Sequence, residues 1–252
     1  MEIIWHGTAS VEIRCSMGRL LFDPFLPLPG AQVPAAAEEF DGFEAVFVTH
    51  GHFDHIASLP EIARRNPGLL IYCTKTPYAA LRRRGIPAEN LQCIAFGQKI
   101  RTQGFTVTAF HGRHAVLPRA SMHRLLYMLS SPLRTNLPYI LRENARCRER
   151  GETLLYTIEA EGKRAVVMGS LNLREEEAYP QCPDLLILPY NGWEDNFAPA
   201  VRVIERLQPG RIMLDHYDDA FPPVTMPVDL DPILKRYRGR IGALKKGKAE
   251  RL

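Results

Sequence analysis

The sequence predicts an α/β fold in which two β-sheets pack face to face with helices outside. Three observations carry that expectation. Short apolar runs bounded by turn residues recur along the chain, and apolar positions between some of them follow helical spacing. Strands come first, then alternate with helices, and the second half repeats that order. Layers of helix and sheet around a shared core are the standard way to bury such faces.

The elements follow in chain order. The opening Ile3-Ile4-Trp5-His6-Gly7-Thr8-Ala9-Ser10-Val11-Glu12-Ile13 reads as strands at 2–5 and 10–14 around a turn, and 19–23 ends in Asp23-Pro24. Ala45-Val46-Phe47-Val48 begins a strand at 45–49, with others expected at 69–73, 91–95, 104–110, 153–160, 164–168, 185–189 and 211–214. Helical spacing marks 58–65, 76–84, 197–207 and 229–237. One block breaks this rhythm, a helical insertion at about 113–152. Residues 120–129 read as an apolar-rich helix stopped by Pro132, and 138–148 as an amphipathic second one. Connections this long usually have a task, often as lids, so the insertion is expected to overhang the active site. The alternative is a helical hairpin that makes a homo-oligomer; its Met and Leu content suits an apolar substrate group or a partner chain.

A chain of 252 residues without a Ser/Gly-rich linker is read as one domain, 1–252, and 46% hydrophobic content suffices for a sizeable core. No apolar span approaches 20 residues, which excludes an ordinary transmembrane helix. The start Met1-Glu2-Ile3-Ile4-Trp5 lacks the form of a signal peptide. Five cysteines without a Cys-X-X-Cys pair argue against a disulfide framework and for a reducing, cytoplasmic setting. Cys73 and Cys93 read as core residues, and neither Cys147 nor Cys182 has a histidine beside it. The net charge of +4 is uneven, since residues 113–150 carry eight arginines and 235–252 eight Lys or Arg. Basic surface suits phosphate-bearing substrates, while the terminal tail is expected to be merely solvated.

The most informative stretch is Thr49-His50-Gly51-His52-Phe53-Asp54-His55, which sets three imidazoles and a carboxylate behind a strand. These are ligands for zinc and neighbouring transition metals. Imidazoles so crowded repel one another when protonated, so the cluster calls for a bound cation. At a strand's end His50 and His52 can point the same way. Asp54 and His55 lie further on, placed to serve a neighbouring ion.

With that run, the chain resembles the metallo-β-lactamase fold superfamily, whose signature is His-X-His-X-Asp-His. Within it the chain is most similar to single-domain hydrolases related to L-ascorbate-6-phosphate lactonase. The opening hairpin, Leu20-Leu21-Phe22-Asp23-Pro24 and Leu214-Asp215-His216-Tyr217-Asp218 carry the likeness further, over about 1–225. The resemblance implies an αββα sandwich and one or two divalent transition-metal ions, zinc first, with manganese or iron as alternatives. It implies a first metal on His50, His52 and a third histidine, for which His114 suits the family's spacing better than His111. It implies a second metal on Asp54, His55 and His216.

Two departures stand out. Relatives supply a bridging aspartate in a Gly-Asp pair, whereas this chain has Gly169-Ser170. That loss is expected to weaken the second site, unless Asp23, Asp195, Asp215, Asp218 or Asp219 folds in to replace the charge. Relatives also often show Gly-His in the first hairpin, where this chain has Gly7-Thr8.

A metal ion lowers the pKa of bound water from about 15.7 to about 7, which makes a hydrolase acting on a small anionic substrate, a lactone or phosphodiester, the leading expectation. Asp54 is the candidate catalytic carboxylate, orienting the nucleophile or taking its proton. Tyr190 and Tyr217 are candidate proton donors, and Arg113 and Arg119 candidate clamps for a phosphate or carboxylate. Nucleic-acid processing is the rival, but the basic block has few aromatics for base stacking. A lipid-related hydrolase resting on a membrane, or a non-catalytic relative suggested by Ser170 and Thr8, completes the alternatives.

Overall fold

Each of the two sheets has seven strands. The computed structural model describes residues 1–115, 122–191 and 196–252. The first sheet comprises β1 (Glu2–Gly7), β2 (Ser10–Cys15), β3 (Gly18–Phe22), β4 (Ala45–Phe47), β5 (Leu70–Cys73) and β6 (Leu91–Cys93). The second comprises β7 (Lys99–Thr102), β8 (Phe105–His111), β9 (Leu154–Ala160), β10 (Lys163–Met168), β11 (Leu185–Pro189), β12 (Arg211–Asp215) and β13 (Ile241–Ala243). A last strand, β14 (Glu250–Arg251), returns to the first sheet. The orders are β14-β1-β2-β3-β4-β5-β6 and β13-β12-β11-β10-β9-β8-β7.

Sequence dictates the pairing. Val166-Val167-Met168, Leu185-Leu186-Ile187-Leu188 and Ile212-Met213-Leu214 are continuous apolar runs, as strands buried on both faces require, and β10, β11 and β12 pair in parallel. In the first sheet β3 to β6 also run parallel, joined through α1 (Phe53–Ile56), α2 (Leu59–Arg65) and α3 (Lys75–Arg83). The insertion holds α4 (Met122–Ser130) and α5 (Leu137–Arg146), and α6 (Phe197–Leu207) and α7 (Asp231–Arg236) follow. Helix α6 buries Ala200, Val203, Ile204 and Leu207, one stripe at helical spacing, and stops where Gln208 turns left-handed at φ 50°.

Three apolar clusters make the layers. Ile3, Trp5, Val11, Ile13, Val107, Tyr156 and Ile187 belong to the cluster shared by both sheets. Val46, Val48, Ile56, Ile62 and Leu81 pack the first sheet against its helices, with Ile140 of the insertion. Val166, Leu186, Val203, Ile204 and Ile233 pack the second sheet against α6 and α7. The order helix, sheet, sheet, helix follows.

Three differences from the sequence reading have physical reasons. Strand β7 escapes notice because only Ile100 of Lys99-Ile100-Arg101-Thr102 is buried. The basic tail is structural rather than merely solvated: β13 pairs with β12, β14 pairs with β1, and Leu244 is fully buried. Helix α4 turns Met122, Leu126 and Leu129 to solvent, and no described apolar residue of the insertion lines the pocket.

Candidate metal centre

Strands β1, β3, β4, β8, β10, β11 and β12 deliver the site from their carboxyl ends. There they leave Thr8, Asp23, residues 49–55, His114, Ser170, Asn191 and His216. Open α/β sheets commonly bind ligands at this edge. The two sheets are fastened together there: the Tyr156 hydroxyl donates to the Val48 carbonyl at 2.7 Å, and the Leu154 N–H to that of Thr49 at 2.8 Å.

Beyond β4 the chain turns sharply and His52 begins α1, so Asp54 and His55 sit on its first turn. The turn passes close to two neighbours. A Cβ on Gly51 would overlap the Arg148 carbonyl, and one on Gly169 would overlap Thr49. Both positions need glycine for that reason.

The six candidate ligands form two groups, His50 with His52 and His114, and Asp54 with His55 and His216, the donor atoms of each within 4.8 Å of one another. Ring centroids lie 4.8 Å apart for His50 and His52 and 4.5 Å for His52 and His114. His216 Nε2 is 3.1 Å from Asp54 Oδ2, and His55 Nε2 is 3.6 Å from the same oxygen. His111 stays outside, stacked on Phe96 at 3.8 Å with Nε2 on the Gly151 carbonyl.

Hydrogen bonding decides which nitrogens are free. The Thr49 hydroxyl donates to Asp23 Oδ2 at 2.5 Å and the Thr49 N–H to Asp23 Oδ1 at 2.8 Å. Its single proton so used, the hydroxyl can only accept from His50 Nδ1, 3.1 Å away, which leaves His50 Nε2 a lone pair. His55 Nδ1 faces the same Asp23 carboxylate at 2.8 Å, and His114 Nδ1 faces the Ala115 carbonyl at 2.7 Å. Both then carry their proton on Nδ1 and offer Nε2. A ligand histidine braced through its other nitrogen is the usual arrangement around a metal. His52 Nδ1 is turned towards His50 Nε2 at 3.1 Å, and a shared cation satisfies both. The donor set therefore fits divalent ions.

Charge divides the two groups. Burial, helped by neighbouring imidazoles, holds His50 well below its ordinary value, pulls His52 down to about 4 and lowers His114. Against burial, its bond to Asp54 and the charges of Asp54, Asp218 and Asp215 together push His216 up to about 9, and Asp23 and Asp54 raise His55 against burial too. Against its own burial, Asp54 is held below the carboxylate range by His55 and His216. The first group thus favours neutral imidazole, ready to ligate; the second holds an ionised carboxylate beside two rings whose hold on a proton it strengthens.

His216 adopts φ 57°, a strained conformation for histidine. Its N–H donates to the Thr8 carbonyl at 2.8 Å, and the Thr8 N–H donates to both Asp218 oxygens at 3.0 Å. Thr8, itself at φ 51°, therefore serves the site through its backbone.

Ser170 lines the pocket and its hydroxyl accepts from the Ala115 N–H at 2.9 Å, steadying the segment that carries His114. None of the described candidates for a replacement carboxylate joins either group. Asp23 braces His55, Asp218 holds Thr8, and Asp219 accepts from Thr225. Buried Asp215 is pushed up to about 7. Asp195 and Arg119 lie outside the described residues.

Three expected substrate contacts lie away from the lining of the pocket. Arg113 is exposed and does not line the pocket. Tyr217 stacks on Trp5 at 5.0 Å and its hydroxyl donates to the Leu244 carbonyl. Tyr190 is buried in the cluster beneath α6. The pocket, of about 140 Å³, is instead walled by Phe53, Phe221, Val224, Thr225, Asn144 and Asn191 around the ligands. The insertion buttresses that wall. Asn144 belongs to α5, Arg124 donates to the Val224 carbonyl at 2.7 Å, and Asn136 to that of Pro222 at 2.8 Å. Asn144 and Thr225 carried no sequence signal, because only folding brings them to the histidines.

A family model described as a beta-lactamase superfamily domain matches residues 18–217. A UPF0173 metal-dependent hydrolase of Methanopyrus kandleri is 31% identical over 117 residues, 46% of this chain and 48% of that protein. One from Brucella anthropi is 30% identical over 116 residues, with the same two shares of 46% and 48%. The chain thus spans about half the length of these curated relatives. Igni18, a metallo hydrolase of Ignicoccus hospitalis, has a similar solved fold: TM-score 0.65 at 15% identity, covering 99% of this chain and 97% of that one.

Proposed function

The chain belongs to the metallo-β-lactamase superfamily, and on that premise we propose that it is a metal-dependent hydrolase acting on a small anionic substrate, a lactone or phosphodiester. The observation that carries this reading is the convergence of five imidazoles and one carboxylate into two adjoining groups. Nitrogen-rich ligands favour zinc, with manganese or iron as alternatives. When bound, such ions supply Lewis acidity and acidify a water to near neutrality.

The chain's own residues do the rest. His50, His52 and His114 enter as neutral ligands, and Asp23 and Thr49 hold two ring planes in place. Asp54, ionised through the working range, orients the attacking water or takes its proton. Asn144 and Thr225 offer hydrogen bonds to the substrate, while Phe53, Phe221 and Val224 keep bulk water out. No Lys or Arg is among the described residues lining this pocket, and bound metal ions would supply attraction for an anion there. The five cysteines are unpaired, which supports a reducing, cytoplasmic setting. No described helix is long and apolar enough to cross a membrane.

The test is hydrolysis by purified protein loaded with zinc, manganese or iron, on lactone and phosphodiester panels. Turnover is expected, with His52→Ala lowering kcat/KM by more than about a hundredfold while the circular dichroism is unchanged. No turnover with any of these ions, or an unaffected variant, would overturn the proposal.

A further inference from the structure

A second concavity lies against the opposite side of α5's last turn. Asn144 lines the metal-centre pocket, whereas Ala145 and Arg146 line this one. Its volume is about 940 Å³, and its rim carries Lys75, Arg83, Arg84, Arg146, Arg148 and Arg150. From this we infer that the cavity between α3 and the end of the insertion binds a small ligand bearing a chain of phosphate groups, at a site separate from the metal centre.

The cavity is assembled from both elements. Lys75, Ala79 and Arg83 fall at i, i+4 and i+8 on α3 and so share one face. Small residues, Pro60, Ala79, Ala80 and Ala145, leave the space between the cationic side chains open. Arg84 is fixed, donating to the Ala57 carbonyl at 2.9 Å and paired with buried Glu143. Gly51 lets the Arg148 backbone pack on the metal-motif loop, so this rim has a rigid base.

Charge selects the ligand. Six of the lining residues are cationic and no described lining residue is a carboxylate; behind them Glu143 pairs with Arg84 and Arg146, and Glu152 accepts from the Thr76 N–H at 2.8 Å. Lys75, Arg83, Arg148 and Arg150 have no carboxylate partner among the described residues, so a surplus of four positive charges remains around one concavity. Such a cluster repels itself until an anion enters. A single phosphate, with at most two charges at neutral pH, would leave half the surplus unmatched; three linked phosphates match it. Guanidinium forks bind phosphate oxygens in pairs, and five of the six cations are arginines. A nucleic-acid strand is disfavoured, because no aromatic side chain among the described residues lines the cavity and the cations ring one hollow instead of tracing a path.

The experiment is calorimetric titration of the full chain with inorganic tripolyphosphate at near-physiological ionic strength, beside orthophosphate and single-stranded RNA. Tripolyphosphate is expected to bind at least about tenfold more tightly than orthophosphate, and R83A/R148A to weaken it by about tenfold or more. His52→Ala should leave the affinity unchanged, since the metal centre is not the site. Equal affinity for the two phosphates, or an unaffected double variant, overturns the inference. Loss of binding in His52→Ala places the anion on the metals, and tighter binding of RNA means a nucleic-acid track; either also overturns it.

Discussion

Asp23 belongs to neither ligand group, yet it sets the geometry of both through Thr49 and His55. Removing its charge leaves His55 without the partner that fixes its ring and proton. Asp23→Asn is therefore expected to weaken binding at the Asp54–His55–His216 group by about 10- to 100-fold and the other group less, since an amide oxygen still accepts from Thr49, as competition with a chromophoric chelator would read. Equal loss at both groups, or none, would refute that role. Ser170 argues the converse. Its hydroxyl serves the Ala115 N–H and adds no negative charge, so two ions should bind with unequal affinity. Ser170→Asp keeps an acceptor there and adds the charge; it should tighten the weaker site by about tenfold, measured in the same titration. At this scale the His50–His55 run was legible because its ligands are contiguous, and His114 and His216 because each follows an apolar strand. The positions of Arg113, Tyr190 and Tyr217 were not legible, because which way a residue faces past a strand end is left open by sequence alone.

Helix α5 shows how an element couples stability to the site. Glu143 points inward from it, 2% exposed, and pairs with Arg84 beyond α3 and with Arg142. Burial opposes its ionisation, but these guanidinium groups hold the carboxyl below its ordinary value. A carboxyl so lowered stabilises the fold fully above its unfolded value, and the contribution fades as pH falls through the lowered one. Glu143→Gln should thus cost about 1–3 kcal/mol at pH 7 in urea unfolding. The gap to the parent should shrink once pH drops below the carboxylate range; a gap independent of pH would contradict this. The insertion's helices were legible from apolar spacing and from Pro132 and Pro138. Their orientation was not: α4 shows apolar residues to solvent, and only contacts such as Arg124 with Val224 reveal what the block supports. The four-residue α1 is too short to leave a periodic trace.

Across the whole molecule, both sheets are closed by the last dozen residues. Strand β13 covers the edge of β12 and β14 that of β1, while Leu244 enters the core between the sheets. Deleting residues 241–252 should lower stability by at least about 1.5–3 kcal/mol, the worth of burying one leucine. It should also promote association through the bared edges, read by light scattering. A stable monomeric truncation would contradict this. That closure was hidden because lysines and glycines dominate 239–248, as edge strands allow. The central layers were plain because parallel strands buried on both faces leave unbroken apolar runs such as Leu185-Leu186-Ile187-Leu188. All of it presents one edge where the carboxyl ends of seven strands meet, and the central claim is that this edge holds metal. Anomalous diffraction from crystals grown with zinc tests it most directly. The account predicts a strong peak about 2.0–2.1 Å from ring nitrogens of His50, His52 and His114, with a weaker one at Asp54, His55 and His216. A fully loaded crystal with no peak at either group would contradict it.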